Sequence, residues 1–190
     1  DNDNVNVSAD LSVTTQGVEG STDIIYTVTL GNTNNTGAPI TFDINSTGGT
    51  AVSGTDYTAF NGSTVTVADG SATGALTVAV TDDALFEDTE TVIATISNAS
   101  DVGVLIGTAS ATANITDNDT TTANVAVTTQ GNETGPVAIV YTVTIDNNNG
   151  TGSPITVDID PSGGNATAGS DYTNFAGSSV TIPNNGNSGV

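Results

Sequence analysis

The fold of this chain is decided by an alternating stretch, Tyr26-Thr27-Val28-Thr29-Leu30, in which every second side chain is apolar. A period of two places the apolar side chains on one face of a β-strand and the threonines on the other. The stretch returns 115 residues later as Tyr141-Thr142-Val143-Thr144-Ile145. The sequence therefore predicts two copies of one β-rich unit.

Further matches extend the repeat in both directions at nearly the same offset. Gly54-Thr55-Asp56-Tyr57-Thr58 returns as Gly169-Ser170-Asp171-Tyr172-Thr173, and Asp117-Asn118-Asp119 matches Asp1-Asn2-Asp3. Repeats of this kind are typical of arrays in which each copy is one structural unit.

The repeat divides the chain into three predicted parts. Residues 1–4 are expected to be the end of a preceding repeat or linker, 5–119 a complete repeat, and 120–190 a second repeat that is incomplete at its C-terminal end. A sandwich without its last strands exposes unpaired edges. We therefore expect the missing strands to come from a continuation of the chain or from another chain.

Seven short segments of the complete repeat alternate between apolar and polar residues, and clusters of Gly, Asn, Asp and Ser separate them as turn chemistry requires. No segment carries an apolar stripe with the helical period of 3.6. Seven such strands in about 115 residues predict an all-β fold, an immunoglobulin-like Greek-key β-sandwich repeated in tandem. The predicted strands centre on residues 11–13, 26–30, 40–44, 65–67, 76–80, 92–96 and 109–115.

The composition excludes several classes of function. The chain has 21 Asp and Glu but no Lys, Arg, His or Cys, and its formal net charge is −21. Without cations it does not neutralise nucleic-acid phosphates or anionic lipid headgroups. Its apolar runs are too short for direct membrane insertion. Without His, Cys or Lys, the common nucleophile–base pairs of enzymes are missing, so we predict no enzyme activity.

The acidic residues are concentrated where strands are expected to end. The segment from Asp82 to Glu90 holds five carboxylates in nine residues, while Asp117 and Asp119 close the repeat. Carboxylates that converge without a cation repel one another. Calcium takes six to eight hard oxygen ligands, often from loops. The pattern therefore favours Ca²⁺ as a cofactor.

Four motifs in combination resemble the Calx-beta domain family. They are Val18-Glu19-Gly20, the run Gly48 to Thr58, the Asp82-Asp83…Glu87…Glu90-Thr91 segment and Asp117-Asn118-Asp119. The resemblance implies a β-sandwich of the kind found in the calcium-regulatory region of sodium/calcium exchangers, in integrin β4 and in large bacterial surface proteins. Asn118 departs from the family pattern, because some members have a third acid at that place.

Carried over residue by residue, the resemblance implies metal ligands at ten positions. They are Glu19, Asp56, Asp82, Asp83, Glu87, Glu90, Asp117 and Asp119 in the first copy, with Glu133 and Asp171 as the equivalents of Glu19 and Asp56 in the second. Structural roles without a metal are the alternatives for the same residues. The Asp56 side chain is also suited to hydrogen-bond to the backbone of its own turn. The alternative for the pair 82–83 is the start of a solvent-exposed hairpin. For the segment 117–119 the alternative is a polar linker.

The leading functional hypothesis is a structural repeat of a large extracellular surface protein, such as the stalk of an adhesin, rigidified by Ca²⁺ at strand-end loops and repeat junctions. Its expected partners are neighbouring repeats of the same chain and other copies in a filament. Surface glycans are a further candidate partner. The alternatives are a glycan- or protein-binding adhesion module and a calcium-sensing regulatory domain.

Overall fold

The structure, a computed structural model, describes residues 7–135 and 137–190. Within these two ranges the chain forms strands, turns and loops, and no helix occurs. The predicted all-β class is confirmed. In the same ranges, correspondingly, no helix has the length and apolar character needed to cross a membrane. The predicted remnant of a preceding repeat at 1–4 lies outside the described residues.

Two compact units divide the chain, and the first comprises the residues up to Asp83 together with Thr89–Asn118. Its strands are numbered in chain order, with β7 (Leu85–Phe86) reserved for the second unit. They are β1 (Val7–Thr15), β2 (Gly17–Val18), β3 (Ile24–Leu30), β4 (Ile40–Gly49), β5 (Ser63–Val67), β6 (Thr73–Val78), β8 (Glu90–Ser97), β9 (Val104–Ile106) and β10 (Ser110–Thr116).

The strands of the first unit form two sheets. One has the order β6-β3-β1-β9 and the other the order β2-β10-β8-β4-β5. Neighbours are antiparallel except at the two short additions, where β9 runs parallel to β1 and β2 parallel to β10. Consecutive long strands that are split between two antiparallel sheets define the predicted immunoglobulin-like sandwich.

The core of the first unit is the predicted inward face of each strand. Tyr26 and Val28 on β3 are fully buried, as are Phe42 on β4 and Val92 on β8, so both sheets contribute to one apolar cluster. Leu76 and Val80 were also predicted to face inward but are only partly buried. Burial of large apolar side chains is the main driving force for this sandwich.

Within the described part of the first sequence copy, three strands were not predicted, namely β2, β7 and β9. Each has only two or three residues, which is too short to show a period of two. All three pair in parallel with a distant part of the chain. Their pairing therefore depends on tertiary structure rather than on local pattern.

Tyr26 ties the two sheets together through its hydroxyl group. The side chain is fully buried on β3, and its O–H donates to the carbonyl oxygen of Val92 on β8 at 2.7 Å. Its ring lies 5.9 Å from that of Phe60. Burial raises the pKa of Tyr26 far above its ordinary value of 10.0, with the nearby Tyr57 adding to the shift.

The second unit comprises Ala84–Asp88 and Asp119–Val190. It contains β7 and six further strands, which form a three-stranded sheet β11-β12-β16 and the pairs β13-β7 and β14-β15. The further strands are β11 (Ala123–Thr129), β12 (Val140–Ile145), β13 (Asn148–Asn149), β14 (Ile155–Ile159), β15 (Ser178–Ile182) and β16 (Ser188–Gly189). The sequence-based boundaries 5–119 and 120–190 stay a prediction.

The core of the second unit is small. Its buried cluster holds Val143, Ile145, Val180 and Ile182, whereas the cluster of the first unit draws on seven of its long strands. Tyr141, the equivalent of Tyr26, is only half-buried and lines an open cleft of about 490 Å³. The second unit therefore has much less apolar burial to offset the entropy of folding.

Replacement of Tyr26 by Phe tests the link between the sheets. We expect the first unit to lose about 1 kcal/mol of stability at about pH 7, because one buried hydrogen bond is removed. The raised pKa means that the stabilising effect of Tyr26 is present below its unfolded-state pKa of about 10 and is lost as the pH rises towards the folded value. Urea unfolding should therefore show a smaller difference between wild type and Tyr26→Phe at about pH 11 than at about pH 7.

The matched control is Tyr141→Phe, which makes the same change in the equivalent tyrosine of the second unit. It should leave the unfolding of the first unit unchanged at both pH values. A difference between wild type and Tyr26→Phe that stays constant or grows at alkaline pH would contradict this account.

Candidate metal centre

Glu19 lies at one end of the five-stranded sheet because of the short strand before it. The parallel pairing of β2 with β10 sets Val18 opposite Thr116, and the Glu19 N–H donates to the Thr116 carbonyl at 3.1 Å. Glu19 is thereby held beside Asp117, the residue that follows β10. Glu19 is buried, with 4% of its surface exposed, and Asp117 is half-buried.

The carboxylates of Glu19 and Asp117 come within range of a shared ion. Each offers an oxygen atom within 4.8 Å of the other. At an effective dielectric constant of about 20, two like charges at that separation repel by on the order of 3 kcal/mol. Since no cationic side chain exists in the sequence, no Lys, Arg or His relieves this repulsion.

Asn118 links this pair to the acidic segment after β6. Its Nδ2 donates to the backbone carbonyl of Glu19 at 3.1 Å and to Oδ1 of Asp82 at 3.0 Å. Gly20 makes room for these contacts, because a Cβ there would lie 2.6 Å from Asn118 Nδ2 and 2.8 Å from Asp82 Oδ1. Its φ of 63° is also in the left-handed region that favours glycine.

Asp56 and Glu90 form a second pair of carboxylates, again with oxygen atoms within 4.8 Å of each other. Asp56 is buried, with 7% of its surface exposed, and one of its oxygens accepts the Val52 N–H. Glu90 begins β8 and pairs with Ile115 on β10. Ile115 also pairs with Gly17 on β2, so Glu90 lies at the same end of the sheet as Glu19.

The other predicted ligands are more exposed or belong to the second unit. Asp83 is exposed, as are Glu133 and Asp171 of the second unit. Glu87 and Asp119 are half-buried residues of the second unit. There Asp119 Oδ1 accepts a hydrogen bond from Asn147 Nδ2 at 3.2 Å.

Sequence reasoning missed the roles of Asn118 and Gly20. Asn118 stood out only as a departure from the family pattern, although its amide holds Asp82 against the loop that carries Glu19. The role of Gly20 was indicated by its position directly after Glu19, because a glycine beside a candidate ligand often marks a close approach of other groups.

The donor set fits calcium by its chemistry. All of the paired side chains are carboxylates, the hard oxygen ligands that Ca²⁺ prefers, and they lie in or next to loops at one end of a sheet. Two of them, Glu19 and Asp56, are buried acids. A buried carboxylate is costly unless an opposite charge or hydrogen bonds compensate it.

Similar solved structures include the apo-form Calx CBD1 domain, with 20% identity, a TM-score of 0.49 and coverage of 60% of this chain and 98% of that one. CBD12 from CALX1.2 is 20% identical (TM-score 0.49), and the calcium binding domain CBD12 of CALX1.1 is 19% identical (TM-score 0.48). In both cases the match covers 94% of this chain and 72% of the other.

No curated protein sequence gave a significant match. The model of one family, the Calx-beta domain, matches two successive segments, residues 1–119 and 123–185. These segments cover nearly the whole chain and correspond to its two sequence copies. This chain therefore belongs to the Calx-beta domain family.

Proposed function

We propose that this chain is a calcium-binding structural repeat of a large extracellular surface protein. The observation that carries the proposal is the pair of Glu19 and Asp117, a buried and a half-buried carboxylate within 4.8 Å of each other in a chain without a cationic side chain. A divalent cation is the partner that removes this repulsion. Bound calcium would supply positive charge and fix the loops that present its ligands.

The proposed ligands have different positions in the fold. Glu19 and Asp117 bind from the strand ends, and Asp56 and Glu90 bind from the turn and from the start of β8. Asn118 positions Asp82 through its amide. Asp83, Asp119 and Glu87 are proposed as further ligands, because each is no more than three residues along the chain from Asp82, Asp117 or Glu90. Glu133 and Asp171 are proposed for a site in the second copy.

We propose a location outside the cell, where calcium reaches the concentrations that weak sites require. Extracellular calcium modules bind in the range of about 10⁻⁴ to 10⁻³ M, so they fill where calcium is abundant. The structural role, as a stalk repeat without catalysis, is supported by the tandem copies and by the absence of His, Cys and Lys from the sequence. The proposed partners are neighbouring repeats.

Calcium is expected to stabilise the first unit by mass action. With free calcium at about ten times Kd, binding adds about 1.4 kcal/mol to the free energy of unfolding, which corresponds to a rise of several degrees in Tm. The double variant Glu19→Gln, Asp117→Asn should lose most of this rise. In chelator, removal of the repulsion between the two carboxylates should favour the double variant. Thermal melts with calcium and with chelator measure both effects.

The matched control for charge is Asp43→Asn, which neutralises an acid on β4 that accepts a hydrogen bond from Asn98. It should keep the full response to calcium. Identical melts of wild type in calcium and in chelator would refute the calcium site. An undiminished response in the double variant would place the site elsewhere.

Gly20→Ala tests the close approach at Asn118 and Asp82. Alanine in the left-handed region costs about 1–2 kcal/mol, and the new Cβ also pushes the two side chains away. We expect a lower Tm and a weaker response to calcium. The control is Gly62→Ala, because Gly62 has a φ of 80° and open space around its Cβ position. Gly62→Ala should lower Tm alone, and an equal loss of calcium response in both variants would contradict the role of Gly20.

We also propose that bound calcium stiffens the junction from Asp117 to Asp119, where the two sequence copies join. If calcium binds these acids, small-angle scattering of an array of three or more repeats should show a larger maximum dimension and a narrower distance distribution with calcium than with chelator. The double variant Asp117→Asn, Asp119→Asn should not respond, whereas Asp43→Asn should. An equal maximum dimension of wild type in both buffers would refute the stiffening role while leaving calcium binding itself intact.

A further inference from the structure

The second unit contains a strand pairing between segments that are far apart in the chain. β7 runs parallel to β13, and the Gly150 N–H donates to the carbonyl of Phe86 at 2.8 Å. We call residues 84–88 the docking segment and residues 148–150 the receiving loop. The docking segment belongs to the first sequence copy, between β6 and β8, and the receiving loop belongs to the second.

The receiving loop is shaped by its own hydrogen bonds. Asn149 is fully buried, its Oδ1 accepts the N–H and the hydroxyl of Thr151 at 3.1 and 2.8 Å, and its Nδ2 donates to the Ser153 carbonyl at 2.8 Å. Asn34 of the first copy forms the same network with Thr36. Both copies therefore build this loop from local sequence, whether or not a docking segment is present.

The docking segment, and not the backbone conformation of residue 150, accounts for the glycine at this position. A Cβ at this position would lie 2.7 Å from Glu87 Oε1 and 3.0 Å from Leu85 Cβ, and its φ is not in the left-handed region. The equivalent residue of the first copy is Asn35, so the same loop accommodates a side chain there. The missing side chain at 150 makes space for the docking segment.

We propose that the receiving loop is a strand-addition site for the acidic Leu-Phe segment of the neighbouring repeat, and that glycine at position 150 determines whether a repeat accepts it. Strand addition uses backbone hydrogen bonds for affinity and side-chain fit for selectivity. Here the fit of the docking segment depends on whether residue 150 carries a Cβ atom. The segment itself, with Leu85 and Phe86 between carboxylates, is the partner, and a copy with a side chain at this position receives it poorly.

Amide hydrogen exchange on the full 190-residue chain tests this proposal. In wild type the amide of Gly150 should be protected by its bond to Phe86. In Gly150→Ala the protection factor at residue 150 should fall about fivefold or more, the ratio that one net hydrogen bond produces. Asn35→Ala is the matched control, since it changes the equivalent loop and should leave residue 150 as protected as in wild type.

The outcome at the core of the second unit separates local from global effects. Unchanged exchange at Val143 on β12, with faster exchange at residue 150, supports strand addition at the receiving loop. Equal acceleration at Val143 would show that Gly150→Ala loosens the whole unit and would overturn the proposal. An unchanged protection factor at residue 150 in Gly150→Ala would overturn it as well.

Discussion

The structure depends on one electrostatic constraint, which is that every charged side chain is acidic. Carboxylates must then be stabilised by hydrogen-bond donors, by solvent or by an external cation. Many are held by backbone N–H groups in turns, as Asp10 accepts from Thr108 at 2.7 Å and Asp69 from Gly37 at 2.9 Å. Such charge-assisted hydrogen bonds are stronger than neutral ones. Carboxylates that serve as turn acceptors are thereby compatible with folding at a net charge of −21.

The fold was predictable to the extent that each strand carries its own period of two. Tyr26, Phe42 and Val92 are buried as their alternation requires, because an antiparallel sandwich has one inner face per strand. The short strands β2 and β9 were not predictable, since two or three residues show no period. They form because a long strand next to them offers an unpaired edge. Long-range pairing is a property of the assembled sheets and not of the local sequence.

The candidate site was predictable by residue type but not by arrangement. The family resemblance selected Glu19 and Asp117, yet their proximity results from the parallel pairing of β2 with β10, which no local pattern encodes. The amide of Asn118 was likewise hidden, because its two acceptors lie 36 and 99 residues away in sequence. Asp82 and Asp83 were equal candidates for metal ligands from the sequence, but it is Asp82 that accepts a hydrogen bond from the Asn118 amide.

The two copies separate what local sequence determines from what packing determines. Asp56 and Asp171 both accept the N–H of the residue four positions earlier, so the turn forms in either copy. Only Asp56 is buried, whereas Asp171 is exposed, because burial depends on the larger core around the first turn. A carboxylate has about four acceptor sites on two oxygens, and one backbone N–H uses only part of them. The turn role of Asp56 and its proposed ligand role are therefore compatible, because the hydrogen bond in the turn holds the carboxylate in one position.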